Sequence, residues 1–344
     1  MIKPQSERDS FRVGLIGAGL QGKRRAPVLK QFPNTELVIV ASAYLDIAKK
    51  LAADAACEAT DRWQDVIERD DINAVMVCTP PNLHAEISIA AMKRAKHVLC
   101  EKPLTRTVKE AVDMIKVAKD NNVILKCGFN HRHHPAIQKA KEYVDEGLIG
   151  GVDFIRCSYG IGGRPGYEKE WRADTTVVSG GQLMEQGIHA VDLFRWFLGE
   201  FEEVVGFTAT RYWNISPLED NAFAMFRTAK GQIASLHSSL TQWKNMFRFE
   251  IYGQDGYILV EGLGGGYGME QVTIGKKNFY DPFKDETTEF RGGDNSWYEE
   301  WKEFVSAIEE KREPLGNGYD GLEALKLVNS VYESASKHIV WKSP

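Results

Sequence analysis

The residues Phe11–Gly22 (FRVGLIGAGLQG) decide the fold of this chain. The apolar run Phe11–Ile16 predicts a buried strand, and Gln21–Phe32 predicts a helix. Between them stands the pattern GxGxxG, formed by Gly17, Ala18, Gly19, Leu20, Gln21 and Gly22. Such a turn lets the backbone approach a pyrophosphate, which then meets the N–H groups of the helix N-terminus. A ligand-free structural turn is the alternative, but this strand-to-helix position favours a dinucleotide site.

Apolar runs and helical segments alternate through the first 130 residues. The further strand candidates are Glu36–Ala41, Ala74–Cys78, His97–Cys100 and Val123–Cys127, and the further helix candidates are Asp46–Ala53, His84–Arg94 and Val108–Asp120. Continuous apolar strands alternating with helices are typical of a parallel sheet that helices cover on both faces. With right-handed crossovers, the alternation predicts an NAD(P)-binding Rossmann domain over residues 1–130.

The second half of the chain has a different pattern, with longer β-type runs and short glycine turns. The runs are Val152–Tyr159, Val204–Tyr212, Ala222–Thr228, Gln232–Thr241, Phe247–Tyr252, Tyr257–Glu261 and Gln271–Ile274, and closing helices are predicted over Ser296–Lys311 and Gly321–Lys337. We therefore predict that residues 131–344 form an α+β domain with a large, mainly antiparallel open sheet. The glycine-rich stretch Gly262–Gly268 follows a β-run, which predicts a flexible turn and not a second phosphate site.

Composition excludes several classes of protein. The 344 residues suffice for about two domains. Lysine plus arginine number 43 against 48 acidic residues, a net charge of −5, which excludes a broadly basic nucleic-acid binder. No apolar run is long enough for a bilayer, and Met1–Ser10 lacks the apolar core of a signal peptide. The widely spaced cysteines predict reduced thiols in a cytoplasmic protein; they are Cys57, Cys78, Cys100, Cys127 and Cys157.

The end of the second predicted strand bears on the choice of cofactor. Dinucleotide sites for NAD commonly place an acid here to bind the ribose 2′-hydroxyl, and this chain has Ser42. A serine does not repel a 2′-phosphate, and a basic run, Lys23–Arg25, follows the glycine turn with Arg24 as the candidate contact. We therefore favour NADP over NAD. Two alternatives stay open: Asp46 takes the place of the acid, or the basic run is only a solvated helix face.

Three further motifs lie in or near this framework. Thr79-Pro80-Pro81-Asn82-Leu83-His84 follows one strand, Glu101-Lys102-Pro103 follows the next, and Gly181–His189 (GQLMEQGIH) opens a helix in the second half. Together with the glycine turn, this set resembles the glucose–fructose oxidoreductase, inositol dehydrogenase and rhizopine catabolism family, abbreviated Gfo/Idh/MocA. The resemblance extends over nearly the whole chain, and Glu-Lys-Pro is its most specific element.

The resemblance implies nicotinamide-dependent hydride transfer at a ring carbon of a sugar, cyclitol or related polyol. It implies that Lys102 is the catalytic lysine and that subunits associate as dimers or tetramers through the open sheet. Glu185 and His189 stand where the family has Asp-x-Gly-x-His, so Glu185 departs from the pattern by one methylene. Ser42 is the second departure, because NAD-preferring members carry an acid there.

Alcohol oxidation needs a group that takes the hydroxyl proton while the cofactor takes the hydride. His189 suits this role because imidazole titrates near neutral pH. Lys102 would bond to the same oxygen and stabilise its developing negative charge. Glu185, four residues before His189, would orient the imidazole or a neighbouring hydroxyl.

The remaining candidates are contacts to cofactor or substrate. The ends of parallel strands form the ligand crevice, and the resemblance places the segment after the third strand beside the cofactor. The predicted cofactor contacts are Thr79, Pro80, Asn82, His84, Glu101, Lys102, Asn130, Trp171 and Arg172. Arg132 is a further candidate, and Tyr159, Trp213 and Trp243 are candidates for stacking on a sugar ring. His131, His133 and His134 invite a metal site, but we predict none, since no carboxylate or cysteine accompanies them at ligand spacing.

Two other functions are compatible with the same motifs. One is glycoside hydrolysis that begins with transient oxidation at a ring carbon, in which NAD stays bound and is not consumed. The other is a non-catalytic NAD(P)-sensing protein, which has no need of Lys102 or His189. We therefore expect an NAD(P)-dependent enzyme that acts on CH–OH groups.

Overall fold

The computed structural model describes residues 10–282 and 284–343. The chain forms two compact units. The first comprises the described part of Met1–Phe129 together with Trp297–Leu322, and the second comprises Asn130–Ser296 together with the described part of Glu323–Pro344. The division at residue 130 remains a prediction about domains, and the units differ from it in grouping Trp297–Leu322 with the first half. Most of the stretch Met1–Ser10, predicted to carry no signal core, lies outside the described residues.

The first unit contains a parallel sheet with helices between its strands. Its strands are β1 (Phe11–Ile16), β2 (Thr35–Ala41), β3 (Glu58–Thr60), β4 (Ala74–Val77), β5 (His97–Glu101) and β6 (Leu125–Gly128). Its helices up to Phe129 are α1 (Leu20–Gln31), α2 (Leu45–Ala55), α3 (Trp63–Glu68), α4 (His84–Lys93) and α5 (Val108–Asp120). In the described residues the strand order is β3-β2-β1-β4-β5-β6. This order confirms the predicted Rossmann domain.

The rest of the chain supplies a larger sheet. Its strands are β7 (Val152–Gly160), β8 (Phe201–Ala209), β9 (Asn221–Thr228), β10 (Ile233–Ser239), β11 (Met246–Gly253), β12 (Gly256–Glu261), β13 (Glu270–Lys276), β14 (Asp285–Phe290) and β15 (Trp341–Lys342). The helices are α6 (Pro135–Asp145), α7 (Ile188–Leu198), α8 (Ser296–Glu310) and α9 (Gly318–Lys337). Over the described residues the order is β14-β13-β12-β11-β7-β10-β9-β8-β15. The β7–β10 pair is parallel and the other neighbours are antiparallel, so the prediction of a mainly antiparallel sheet is confirmed.

The core of the first unit combines residues that are far apart in sequence. Val13 and Leu15 of β1 are fully buried, as are all four residues of β4. Trp301 and Phe304 of α8 belong to the same apolar cluster as β1. The sheet is buried on both faces because helices cover both, which is the reason its strands are continuous apolar runs.

One face of the second sheet carries an exposed apolar patch. Along β9 buried and exposed residues alternate, and Phe223 and Met225 are 52% and 51% exposed. Phe207 of β8, 66% exposed, is paired with Phe223, whose ring stacks on His237 with a centroid separation of 4.0 Å. Phe154 and Ile233, which pair across β7 and β10, extend the patch. We call this patch, Phe154, Phe207, Phe223, Met225 and Ile233, the open face.

Several elements have no counterpart in the sequence prediction. They are β3, α3, α6, β14 and β15. Strand β14 (DETTEF) is exposed along five of its six residues, so it carries no apolar alternation by which a strand could be predicted. The loop Gly262–Gly268 follows β12 and does not open a helix, as expected. No described helix is both long and apolar enough to cross a bilayer.

Candidate active site

The glycine turn is built by the close approach of β1 to β4. Gly17 has a φ of +108°, and a Cβ on it would lie 2.4 Å from the carbonyl carbon of Cys78. A Cβ on Gly22 would lie 2.1 Å from the carbonyl oxygen of Gly17. No atom lies within 4 Å of the corresponding position on Gly19, among the described residues. The first and third glycines are therefore required by packing, whereas the second borders open space.

The surroundings of this turn fit an anionic dinucleotide. Helix α1 begins after Gly19 with no side-chain cap and no acid in its first turn, so its N–H groups remain available. Gln21 Oε1 and Thr79 Oγ1 are buried and have no hydrogen-bond partner within the described residues. The turn also lies where the strand order reverses, between β1 and β4, which is the ligand crevice of open α/β sheets. These residues would hold the pyrophosphate of NAD(P).

The other residues predicted to contact the cofactor from this unit have varied exposure. Ala18 is buried and Leu20 is 53% exposed. Pro80 is half-buried and Asn82 is exposed. Ser42 Oγ accepts a hydrogen bond of 3.3 Å from the backbone N–H of Tyr44, which closes the turn after β2.

The basic run after the glycine turn separates into three environments. Lys23 lines a groove between α1 and α2 together with Asp46. The Arg24 guanidinium lies 5.1 Å from the ring centroid of Trp297. Arg25 is 1% exposed and points into the unit. Arg25 therefore does not belong to a solvated helix face.

A buried cluster of charges lies behind Lys102. Arg25 Nε donates to Glu101 Oε1 at 2.6 Å, and Arg25 Nη1 lies 2.8 Å from Glu300 Oε2. Burial by itself lowers the pKa of Arg25, but Glu101 and Glu300 outweigh burial and raise that pKa above its ordinary value. Lys126 Nζ lies 3.9 Å from Glu300 Oε1. The Glu101 carboxylate thus fastens β5 to α1, and the backbone N–H of Lys102 donates to its other oxygen at 3.3 Å.

His84 joins the two loops that follow β4 and β5. Its Nδ1 lies 2.9 Å from the carbonyl oxygen of Pro103, and its Nε2 lies 2.8 Å from that of Thr79. The ring is 1% exposed, and burial lowers the pKa of His84. Its imidazole therefore holds the segment that carries Lys102, whereas the sequence predicted a cofactor contact.

In the second unit, Glu185 and His189 lie on a helix that begins irregularly. Leu183–Gly187 is a π-helical turn, and α7 continues from Ile188. The helix therefore does start before His189, as required for Glu185 to share its face, but with π geometry, which is frequent at functional sites. Gly187 is required here, because a Cβ on it would lie 2.9 Å from Ser238 Oγ.

Arg172 binds the Glu185 carboxylate. Its Nε donates to Glu185 Oε1 at 3.1 Å, and its guanidinium lies 4.2 Å from the ring centroid of Trp171. Burial by itself lowers the pKa of Arg172, whereas Glu185 raises it, and the net shift is upward. The Trp171–Arg172 pair, predicted as a cofactor contact, thus lies beside the predicted site residue Glu185.

His189 is stacked on a second imidazole. The rings of His131 and His189 have centroids 3.9 Å apart and planes inclined by 16°. His131 Nε2 lies 3.0 Å from the hydroxyl of Tyr159, and His131 Nδ1 lies 3.2 Å from Asn130 Oδ1. Burial raises the pKa of Tyr159 well above its ordinary value, so this hydroxyl keeps its proton. The sequence singled out Asn130 and Tyr159 as ligand contacts, and the structure places both against His131.

The other residues of the polar run 130–134 are also engaged within the second unit. Arg132 makes a two-pronged ion pair with Asp192, at 2.8 and 2.6 Å. His134 Nδ1 lies 3.0 Å from Glu270 Oε2. The contact with Glu270 engages one of the three imidazoles that suggested a metal site. No group of three His, Cys, Asp or Glu side chains in the described residues is arranged to hold a metal ion.

Comparison with known proteins identifies the family. Residues 11–129 match the model of the Gfo/Idh/MocA oxidoreductase family with an NAD-binding Rossmann fold, and residues 137–259 match the Gfo/Idh/MocA C-terminal domain. The chain belongs to this family of oxidoreductases, whose members include dehydrogenases and reductases of sugars and cyclitols.

Two curated relatives illustrate the range of the family. Levoglucosan dehydrogenase of Pseudarthrobacter phenanthrenivorans is 30% identical over 73% of this chain and 73% of its own length. Inositol 2-dehydrogenase of Rhizobium meliloti is also 30% identical, over 95% of this chain and 98% of the relative.

Solved structures show the same fold with either form of the cofactor. A levoglucosan dehydrogenase in complex with NADH has a TM-score of 0.89 at 26% identity, covering 98% of this chain and 100% of that one. A 3-ketoreductase from Actinomadura kijaniata, in complex with NADP and TDP-benzene, has a TM-score of 0.82 at 26% identity, covering 94% and 98%. The chain therefore has an NAD(P)-binding fold.

Proposed function

We propose that this chain transfers a hydride between NAD(P) and a ring carbon of a sugar, cyclitol or sugar derivative. Relatives named for levoglucosan, inositol and a deoxysugar nucleotide support this class of substrate. The observation that carries the proposal is the position of Lys102. It is the first residue after β5, at the carboxyl edge of the sheet that also bears the glycine turn.

The chain's own residues divide the work at the reacting hydroxyl. Bound NAD(P) supplies the carbon that accepts or returns the hydride. His189 takes the hydroxyl proton in the oxidative direction, and the Lys102 ammonium donates a hydrogen bond to the same oxygen. Glu185, held by Arg172, binds a neighbouring hydroxyl and fixes the orientation of the ring.

For the cofactor, we propose a preference for NADP. Ser42 replaces the acid that would repel a 2′-phosphate, and Lys23 lies in the nearby groove. Ser42→Asp should shift the ratio of kcat/KM values toward NAD by about tenfold, because a carboxylate bonds to the 2′-hydroxyl and repels the phosphate. Ser42→Asn, which adds bulk without charge, is the matched control. An unchanged ratio in Ser42→Asp would remove Ser42 from the selection.

We also propose that a second copy of this chain covers the open face. The patch consists of large apolar side chains with no helix of the described unit over them, and its strands are long enough for a sheet-to-sheet contact. A homodimer or homotetramer formed in this way would bury the patch.

The decisive experiment follows reduced-nicotinamide absorbance across levoglucosan, inositols, hexoses and nucleotide sugars, with NAD⁺ and NADP⁺ side by side. We expect a signal with one group of substrates. Reduction of the matching keto-sugars by NAD(P)H tests the reverse direction. Retained cofactor with hydrolysis of a glycoside would instead indicate the hydrolase, and cofactor binding without turnover in either direction would indicate a sensor.

A further inference from the structure

The proposed function gives no role to the stacking of His131 on His189 in the second unit. Both rings are buried, and each is about 5% exposed: 6% for His131 and 5% for His189. Two stacked imidazoles at 3.9 Å cannot both be protonated without strong repulsion. If His189 receives a proton during oxidation, His131 must therefore be neutral.

The hydrogen bonds around Asn130 determine which nitrogen of His131 carries the proton. Ser296 Oγ donates its only proton to Asp294 Oδ1 at 2.6 Å. Ser296 therefore has no proton for Asn130, so Asn130 Nδ2 must be the donor in their 2.8 Å contact. Asn130 Oδ1 then faces His131 Nδ1 and accepts a hydrogen bond from the N–H group at that position. The Asp294 carboxylate, which can only accept, thus fixes the donor and acceptor of each hydrogen bond in this series.

The other nitrogen of His131 is approached by a hydroxyl. His131 Nε2 lies 3.0 Å from the hydroxyl of Tyr159 and, with the proton on Nδ1, accepts from it. Tyr159 is in turn hydrogen bonded to Tyr267, whose hydroxyl accepts from Gln186 Nε2 at 3.3 Å. The bonds run in one direction, from Gln186 through Tyr267, Tyr159, His131, Asn130 and Ser296 to Asp294.

We propose that His131 is a positioning residue for His189: a flat, neutral imidazole, locked as the Nδ1–H tautomer by the chain that ends on Asp294. The proposal rests on the proposed function, in which His189 carries the proton. The neutral ring fixes the plane of His189 by stacking. Its π face also stabilises the imidazolium that forms there, as aromatic faces stabilise cations.

Other charged and titratable groups surround the two rings. His134 packs against His131 at 5.5 Å and faces Glu270 and Asp294. Arg172 binds Glu185 and Arg132 binds Asp192. The ring of Tyr159 lies 5.3 Å from that of His131 and 5.5 Å from that of Tyr267. The acids and bases of this list are largely paired with one another. A change confined to the ring at position 131 leaves those pairs in place.

The test compares His131→Phe with His131→Leu. Phenylalanine keeps a flat neutral ring but makes no hydrogen bond, whereas leucine loses both. We expect His131→Phe to keep kcat within about threefold, and His131→Leu to lose about tenfold, because the imidazole of His189 is no longer held in plane. The KM for the cofactor should not change in either variant.

The pH profile of kcat/KM for oxidation gives a second readout. Its acidic limb reports the protonation of His189. Without an aromatic face the imidazolium is less stable, so in His131→Leu the limb moves to lower pH by up to about one unit. In His131→Phe it should stay in place. A purely structural role, filling hydrogen bonds of Asn130 and Tyr159, predicts that both variants behave alike, and that result would overturn the proposal.

A measurement on the unmodified protein avoids any failure of a variant to fold. Nitrogen-15 NMR of histidine-labelled protein distinguishes the two tautomers and the imidazolium, and the His131 signal is the one lost in His131→Phe. We expect a neutral ring with a protonated Nδ1 at pH 7. An Nε2–H tautomer or an imidazolium at position 131 contradicts the proposal. Full turnover in His189→Ala would refute the proposed role of His189 itself, whatever the result at position 131.

Discussion

The two sheets of this molecule differ in how much of their surface is buried. Strand β4 is buried at all four residues, whereas β9 alternates buried and exposed residues and contributes to the open face. The first unit, which contains β4, also buries three charged side chains that pair with one another: Arg25, Glu101 and Glu300. In the second unit, the ring of His189 is stacked on that of His131. Lys102 therefore follows a strand that is anchored by buried ion pairs, whereas His189 packs against a second imidazole.

The largest effect on turnover should come from replacing Lys102, the residue that follows β5 of the first sheet. Lys102→Met removes the ammonium but keeps most of the side-chain volume. Turnover should fall about a thousandfold, because the developing charge on the substrate oxygen loses its partner. Cofactor binding, measured by fluorescence titration, should be retained and should change far less than turnover. Lys109→Met, on an exposed lysine of α5, is the control. Turnover close to that of the unmodified enzyme would show that Lys102 does not act at the reacting oxygen.

The second prediction concerns stability and compares the loss of a buried charge, Glu300, with the loss of the neighbouring charge in an exposed pair, Glu299. Glu300→Gln leaves Arg25 with an incomplete set of partners in a fully buried position, which should cost about 3 kcal/mol of unfolding free energy. Glu299→Gln, at the adjacent position, breaks an exposed pair with Lys302 and should cost about 0.5 kcal/mol or less. Urea unfolding measures both. Equal losses would mean that the buried cluster has no special importance for the first unit.

These charges also show what the sequence could predict and what it could not. The glycine turn and the apolar runs predict the first sheet, because local patterns record strands that are buried on both faces. The pairing of Arg25 with Glu300 joins residues 275 positions apart (300 − 25), and no local pattern reveals it. The sequence instead suggested that the run containing Arg25 belonged to the cofactor site or to the surface.

The second unit follows the same rule. Glu185 and His189 stand out because they occupy a motif of a known family, as Lys102 does in the first unit. His131 stood out only as one member of a polar run, and its contact with His189 depends on the folding of distant segments. Ser296, Asp294 and Tyr267 carried no sign of a role at the site, since none of them belongs to a motif. Strand β14 escaped prediction because it buries no side chain well enough to give a periodic pattern.

The smallest of the three effects tests whether the open face is completed by a second copy. Phe223→Asp places a charge at the centre of the patch and should weaken self-association by about 2 kcal/mol, the usual contribution of a buried aromatic anchor. Light scattering coupled to size exclusion, over a range of concentrations, reports the mass. Thr288→Asp adds the same charge to the exposed strand β14 and should leave the mass unchanged. A monomeric unmodified protein would leave the face without this role.

The grouping of Trp297–Leu322 with the first unit has a consequence for how the protein is made. Trp301 and Phe304 fill the same apolar cluster as β1, and Glu300 partners the arginine of α1. When a ribosome has synthesised only the first 129 residues, the first unit of the nascent chain therefore still lacks part of its hydrophobic core. The missing residues, Trp297–Leu322, are synthesised only after most of the second unit. Until then Arg25 lacks its partner Glu300, and the apolar surface that Trp301 and Phe304 cover stays exposed, which is the kind of surface that chaperones bind.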